Sequence, residues 1–150
     1  MIIGMSVVDE MVCFSLYSAT RATTRAYSEL LAPWDLTYPQ YLVLVVLWRE
    51  GSKSVHELGE MLQLDSGTLS PLLRRMESKD LVVRTRETKD QRIVTIAATA
   101  HAAQMREELG HVPALIARCF GLPDLAAARE LIATLQQLTT TMRTGIPVAD

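Results

Sequence analysis

Three features of the 150-residue sequence predict a mainly α chain with a small β element, of the α+β class. Apolar residues recur at helical spacing in long stretches near both ends. Shorter cap-bounded helical stretches lie between them, and one pair of alternating segments flanks a charged pentapeptide.

The elements follow in order. From Asp9 to Leu31 the segment containing VCFSLYSATRATTRAYSELL has no breaker and stops before Pro33, which predicts a long first helix. Its polar face is thin, so both of its sides are expected to meet protein. Thr37 and Gln40 have capping-box spacing ahead of YLVLVVLW, a short buried helix closed by Gly51. The β-branched content would also suit a strand, and the cap decides for helix. Ser54 and Glu57 repeat the signature and open VHELGEMLQ, with Val55, Leu58, Met61 and Leu62 on one face.

After a turn at Leu64 and Asp65, SGTLSPLLRRMESK carries Leu69, Leu72, Leu73 and Met76 at helical spacing while Thr68, Arg74 and Arg75 point elsewhere. With Ser66 as cap, Pro71 falls a turn inside, so this helix either starts late or loses one backbone bond; the sequence leaves both open. LVVRTR and RIVTIA then alternate with period two around ETKDQ, a hairpin with a charged tip. Short helix, turn, helix and hairpin together spell a winged helix-turn-helix, over about residues 37–97.

Residues 98–119 read as helix with a break near Gly110 and Pro113, and Asp124 caps LAAARELIATLQQLTTTMR, whose apolar stripe is Leu125, Ala128, Ile132, Leu135 and Met142. This stripe and the first helix exceed what a small winged domain needs to cover. The terminal segments, about 9–33 and 98–143, are therefore expected to be dimerisation helices shared between two chains. No internal repeat or low-complexity tract is present, the tail Gly145–Asp150 reads as loose, and one domain over 1–150 is the expectation.

Composition narrows the function classes. Hydrophobic residues make up 49% and charged residues 21%, and no eighteen-residue apolar run is uninterrupted, so no membrane span is expected. The start MIIGMSVVDEM has no basic n-region, and a cytoplasmic protein is the expectation. Cys13 and Cys119 form no CxxC or Cys/His cluster, and His56, His101 and His111 have no ligand spacing, so neither a metal nor another cofactor is expected. The formal charge of −2 argues against nucleic acid until its distribution is read: residues 74–92 hold seven of the fifteen Lys and Arg against four acids, leaving that segment +3 and the remainder −5. A basic stripe on an acidic body can neutralise phosphates while limiting indiscriminate binding.

CFSLYSATRATTRAYSELL, LTYPQYLVLVVLW, LDSGTLSPLLRRME and RETKDQR, in this order and spacing, resemble the MarR family of dimeric winged-helix regulators, and within it the OhrR organic-hydroperoxide sensors. The resemblance implies a repressor, not an enzyme, binding pseudo-palindromic double-stranded operator DNA as a homodimer. It implies that the helix from about Ser66 to Lys79 enters the major groove, placing Ser66, Thr68, Ser70 and Arg74 near bases or phosphates, with Arg75 and Arg86 adding positive charge. The wing would place Arg92 in the minor groove, with Asp90 presetting its guanidinium. Two features depart from the family pattern: Ile96 to Ala100 stand where Leu-Thr-x-x-Gly is usual, and Asp80 replaces a glycine.

The same resemblance implies that Cys13 is the peroxide-sensing thiol and that Tyr17, Tyr27 and Tyr38 surround it. Cys119 resembles the second cysteine of the two-cysteine members, implying a disulfide after Cys13 oxidation. Helix geometry adds a constraint of its own. Tyr17 is i+4 from Cys13 and shares its face, whereas Tyr27 is fourteen residues on, about 21 Å along a straight helix, and cannot reach that thiol in the same chain. If Tyr27 touches a sensing thiol, it is that of the partner chain, and Tyr38 is expected to come with it. Two other readings remain open at this point: a MarR-type repressor released by a small aromatic ligand, and a thiol peroxidase, in which LDSGTLSPLLRR and the basic hairpin would have no use.

Overall fold

The computed structural model describes residues 7–86 and 93–144. They fall into two compact units, Met1–Val112 and Pro113–Asp150. In the first, a short 3-10 turn leads into α1 (Val12–Leu31), followed by α2 (Tyr38–Glu50), β1 (Lys53–Ser54), α3 (Val55–Leu62), α4 (Ser66–Ser78), β2 (Val82–Arg86), β3 (Val94–Ala98) and α5 (Ala100–Glu108). Helix α6 (Val112–Cys119) starts at the boundary, and α7 (Leu125–Arg143) makes up most of the second unit. The fold is mainly helical with one small antiparallel sheet, the predicted winged helix-turn-helix. No single helix among the described residues is long and apolar enough to cross a membrane.

The caps predicted for α2, α3 and α7 are present. Gln40, itself buried, accepts from the Thr37 backbone N–H at 3.0 Å. Ser54 and Glu57 close a reciprocal box, and Asp124 accepts from Ala127 N–H at 2.8 Å. Leu44, Leu58, Leu69, Leu73, Met76 and Ile96 form the centre of the winged core. Met61 departs from its expected place and is 41% exposed. Helix α3 is only two turns long, and 100° per residue puts Met61 at the rim of a buried wedge centred on Leu58.

A strand absent from the sequence reading completes the sheet, whose order is β1-β3-β2. Lys53 pairs with Ile96 and Ser54 with Thr95. A two-residue strand has no periodicity to detect, and Ser54 serves at once as its last residue and as the cap of α3.

The turn between α3 and α4 depends on Gly59. Gln63 adopts a left-handed conformation with φ 55°, and Leu64 N–H returns to the Gly59 carbonyl at 2.9 Å. A Cβ at position 59 would stand 3.0 Å from the Leu64 carbonyl oxygen and 3.7 Å from Leu69 Cδ2. Alanine normally favours a helix interior over glycine by about 1 kcal/mol. Here the obstructing atom is a backbone oxygen of Leu64, whose N–H is tied to the Gly59 carbonyl, and overpacking of this kind costs about 1–3 kcal/mol. Gly59→Ala is therefore expected to destabilise the protein, lowering the thermal midpoint by a few degrees, about 2–4 °C per kcal/mol. An unchanged or raised midpoint in calorimetry would mean that the turn accommodates the methyl group.

The junction after α4 keeps its geometry despite both sequence departures. Asp80 takes the left-handed conformation itself, φ 55°, as a short polar side chain can. Leu81 N–H then reaches the Met76 carbonyl at 2.9 Å. Thr99 donates its hydroxyl to the Asp80 carbonyl at 2.6 Å and accepts from Ala102 N–H at 3.1 Å, so it caps α5 and ties it to the junction.

Candidate DNA interface and thiol site

Helix α4 is capped by Asp65, not by Ser66. The Asp65 carboxylate accepts from the Thr68 N–H at 2.9 Å and from its hydroxyl at 3.1 Å, and these bonds hold the carboxyl below its usual range. Pro71 therefore lies inside the helix, and having no N–H it leaves the Gly67 carbonyl without its helical partner. Of the two readings left open by the sequence, the lost bond is the one realised. Leu69, Leu72, Leu73 and Met76 are buried. At 100° per residue the opposite face carries Gly67, Pro71, Arg74 and Ser78, flanked by Ser70 and Arg75.

The expected contact residues are thus placed together on one helix and the adjoining strand. Ser66, Thr68, Arg74 and Arg75 are exposed and Ser70 is half-buried, while Arg86 is exposed at the end of β2. Among the described residues no ion pair engages Arg74, Arg75 or Arg86, so their charge faces solvent. The Thr68 hydroxyl is already committed to Asp65, which makes Thr68 as much a capping residue as a contact. Asp90 and Arg92 lie outside the described residues.

Two further basic residues of this segment are held internally. Lys79 donates to both the carbonyl and the carboxylate of Asp35, each at 2.6 Å, tying the end of α4 to the connector between α1 and α2. Arg84 reaches back from β2 to α4, with Nη2 3.4 Å from the Ser70 carbonyl and Nε 3.6 Å from Glu77 Oε2. Neither Glu77 nor Arg84 was singled out from the sequence. The signal was present in the alternation of the strand: counting in twos from buried Val82 puts Arg84 on the inward face.

Cys13 lies in the first turn of α1 and is exposed within the single chain; Cys119 ends α6 and is likewise exposed. Tyr17, one turn beyond Cys13, is exposed, and its hydroxyl accepts from Arg21 Nη1 at 2.9 Å, with the guanidinium carbon 5.5 Å from the ring centroid. The phenol proton is left to donate elsewhere. At the other end of α1, Tyr27 stacks on Tyr38 with centroids 4.0 Å apart, and Tyr41 closes on Tyr27 at 5.8 Å. Burial first, then the neighbouring Tyr38 and Tyr41, push the Tyr27 phenol up to about 12, and burial raises Tyr38 also. Both therefore remain neutral hydrogen-bond donors at physiological pH. Tyr41 is buried and also forms part of this cluster. The three expected tyrosines thus divide into Tyr17 near Cys13 and a Tyr27–Tyr38 pair at the opposite end of the helix.

Five of the six serine and threonine hydroxyls of α1 are satisfied by the helix itself: Ser15, Thr20, Thr23, Thr24 and Ser28 each donate to a carbonyl one turn back. These five hydroxyls need no outside donor partner and can be covered by protein.

Comparison with known proteins accords with this arrangement. The MarR family profile matches residues 36–94. The transcriptional regulator TtmR of Methylorubrum extorquens strain PA1 is 44% identical over 131 residues, 87% of this chain and 67% of that protein. The organic hydroperoxide resistance transcriptional regulator of Bacillus subtilis strain 168 is 41% identical over 109 residues, 73% of this chain and 74% of the relative. Among solved structures, AbfR of Staphylococcus epidermidis in its reduced, DNA-bound form superposes with a TM-score of 0.76 at 31% identity, over 90% of this chain and 94% of that one. The disulfide form of AbfR gives 0.61 at 32% identity, over 91% and 90%. With this fold, and with relatives matched over most of both chains, the protein belongs to the MarR family of transcriptional regulators.

Proposed function

We propose that the protein is a redox-sensing repressor, which as a homodimer holds pseudo-palindromic operator DNA while reduced and releases it when an organic hydroperoxide oxidises Cys13. The observation that carries this reading is the division of the tyrosines. Tyr27 and Tyr38 are stacked on each other about 21 Å from Cys13 along α1, so a thiol ringed by all three tyrosines is assembled only from two chains. The hydroperoxide regulator of Bacillus subtilis, by its name, and AbfR, with reduced, overoxidised and disulfide forms, support the same chemistry here.

The Cys13 thiolate sulfur attacks a peroxide oxygen. The S–O bond forms as the O–O bond breaks, the sulfur loses two electrons, and the departing alkoxide takes a proton to leave as alcohol. Neutral phenols from Tyr17 and from the partner's Tyr27 and Tyr38 donate to the anionic sulfur and favour the thiolate. The sulfenic acid then condenses with the thiol of the partner's Cys119, giving a disulfide and water. Closing the bond requires Cα atoms about 4.4–6.8 Å apart, and moving helices to that distance changes the spacing of two α4 helices that must match major grooves about 34 Å apart.

The test is an electrophoretic shift with the DNA upstream of the protein's own gene, run reduced, after stoichiometric hydroperoxide, and after re-reduction. Binding should be lost on oxidation and restored by a thiol reductant. Peroxide-insensitive binding would overturn the reading. On a non-reducing denaturing gel the oxidised protein should run as a dimer, and Cys119→Ser as a monomer. If Cys119→Ser releases DNA as the parent does and the parent runs only as monomer, Cys13 acts without the second cysteine.

A further inference from the structure

Glu77 is an acid on a helix whose outward surface is otherwise neutral or basic, and it lies one turn from Arg74 at a place where a DNA phosphate would be repelled. Its surroundings account for it. Arg84 projects from β2 along the flank of α4, its side chain only 28% exposed. Its Nε has no solvent contact and no hydrogen-bond partner among the described residues, and the Glu77 carboxylate at 3.6 Å is its one counter-charge. Its Nη2 finds the Ser70 carbonyl at 3.4 Å, using the second lone pair of an oxygen that the helix already engages. Ser70 and Glu77 are seven residues, about 10 Å, apart on α4, and Glu77 leans back toward the N-terminus as helical side chains do, so one guanidinium spans two turns.

We infer that Glu77 and Arg84 are positioning residues for DNA recognition: the Arg84 fork fixes the angle between the recognition helix and the wing strands, and Glu77 holds the fork in place. The inference rests on the reading of α4 and the hairpin as the DNA-binding surface. Beyond the junction at Asp80 and Leu81, Arg84 is the first side chain of β2 that bonds back to α4, and Arg86, a candidate contact, lies two residues or about 7 Å farther out. A strand free to tilt at Arg84 would carry Arg86 out of register with Ser70 and Arg74. Glu77 therefore trades some attraction for phosphate for a defined geometry, which affects specific binding and leaves non-specific binding alone.

This gives an experiment in which simple electrostatics and positioning predict opposite signs. A duplex selected from random sequence by the parent protein, and a scrambled duplex of the same length, are titrated by fluorescence anisotropy at fixed salt. Glu77→Gln adds one net positive charge to the DNA face, so electrostatics alone tightens both complexes in proportion. Positioning instead predicts that affinity for the selected duplex falls about tenfold, the order of one mismatched base pair, while affinity for the scrambled duplex holds or rises. Arg84→Lys keeps the charge but supplies one donor centre instead of a fork, and should lose the same specificity ratio. Circular dichroism and thermal melts of both variants check that helix content is retained. Proportional tightening by Glu77→Gln, or a full specificity ratio in Arg84→Lys, would overturn the inference. If the parent selects no duplex, the DNA-binding reading itself fails and the inference falls with it.

Discussion

Cys13→Ser is expected to bind operator as the parent does and to lose its response to organic hydroperoxide entirely. In the parent, oxidation should lower operator affinity by roughly 5–150-fold, the usual range of coupling between two sites. In Cys13→Ser the ratio of affinities before and after peroxide should be roughly one, because the hydroxyl keeps the volume of the thiol but has no sulfur to oxidise. Cys13 is exposed on α1 within the single chain, on a different element from the candidate contacts of α4, so the substitution leaves the residues of the DNA face unchanged. The measurement is anisotropy with a labelled operator, before and after one equivalent of hydroperoxide. A Cys13→Ser protein that still lets go of DNA would move the sensing chemistry to another group.

The elements of the winged domain were largely legible because their signals are local. Ser54 with Glu57, Thr37 with Gln40, and Asp124 cap the helices that they were expected to cap. Where several cap-competent residues adjoin, as in Asp65-Ser66-Gly67-Thr68, composition could not choose, and the choice fell to the carboxylate that reaches both the N–H and the hydroxyl of Thr68. Asp80 in place of glycine left the junction in doubt on paper, yet its left-handed backbone and the Thr99 bond preserve it.

Long-range contacts were legible only in part. The reach of α1 separated Tyr27 from Cys13, but stacking of Tyr27 on Tyr38 depends on the turn at residues 32–37 and on the crossing of α1 with α2, which no periodicity encodes. The Arg84–Glu77 pair was missed for the opposite reason. Both residues sit in a charged stretch that read as a basic stripe for phosphates, and parity puts Arg84 and Arg86 on the same face of β2; what separates them is that Arg84, two residues nearer the junction, lies within reach of α4.

Ile132→Glu is expected to yield a monomer with little affinity for operator. Helix α7 has no residue buried within the chain, yet its apolar side chains are not scattered. Ala128, Leu131, Ile132, Leu135, Leu138 and Met142 recur at three- and four-residue spacing along one side, with Ile132 52% and Leu135 39% exposed. Thr134, Thr139, Thr140 and Thr141 return their hydroxyls to carbonyls one turn back, so the rest of the helix makes few polar demands on a neighbour. An apolar stripe of this length on a helix with no buried residue fits a seam with a second chain. A carboxylate in its middle would have to be desolvated without a partner, which costs several kcal/mol and outweighs the apolar area that one isoleucine contributes. Two half-sites held by a dimer gain about 10²–10⁴ in affinity over one alone. The variant should therefore elute as a monomer in size-exclusion chromatography with light scattering, and its operator affinity should fall by about two orders of magnitude or more. Gln137→Glu, the same charge on the opposite side of α7, should leave both properties unchanged. A dimeric Ile132→Glu protein that binds operator normally would place the subunit interface elsewhere.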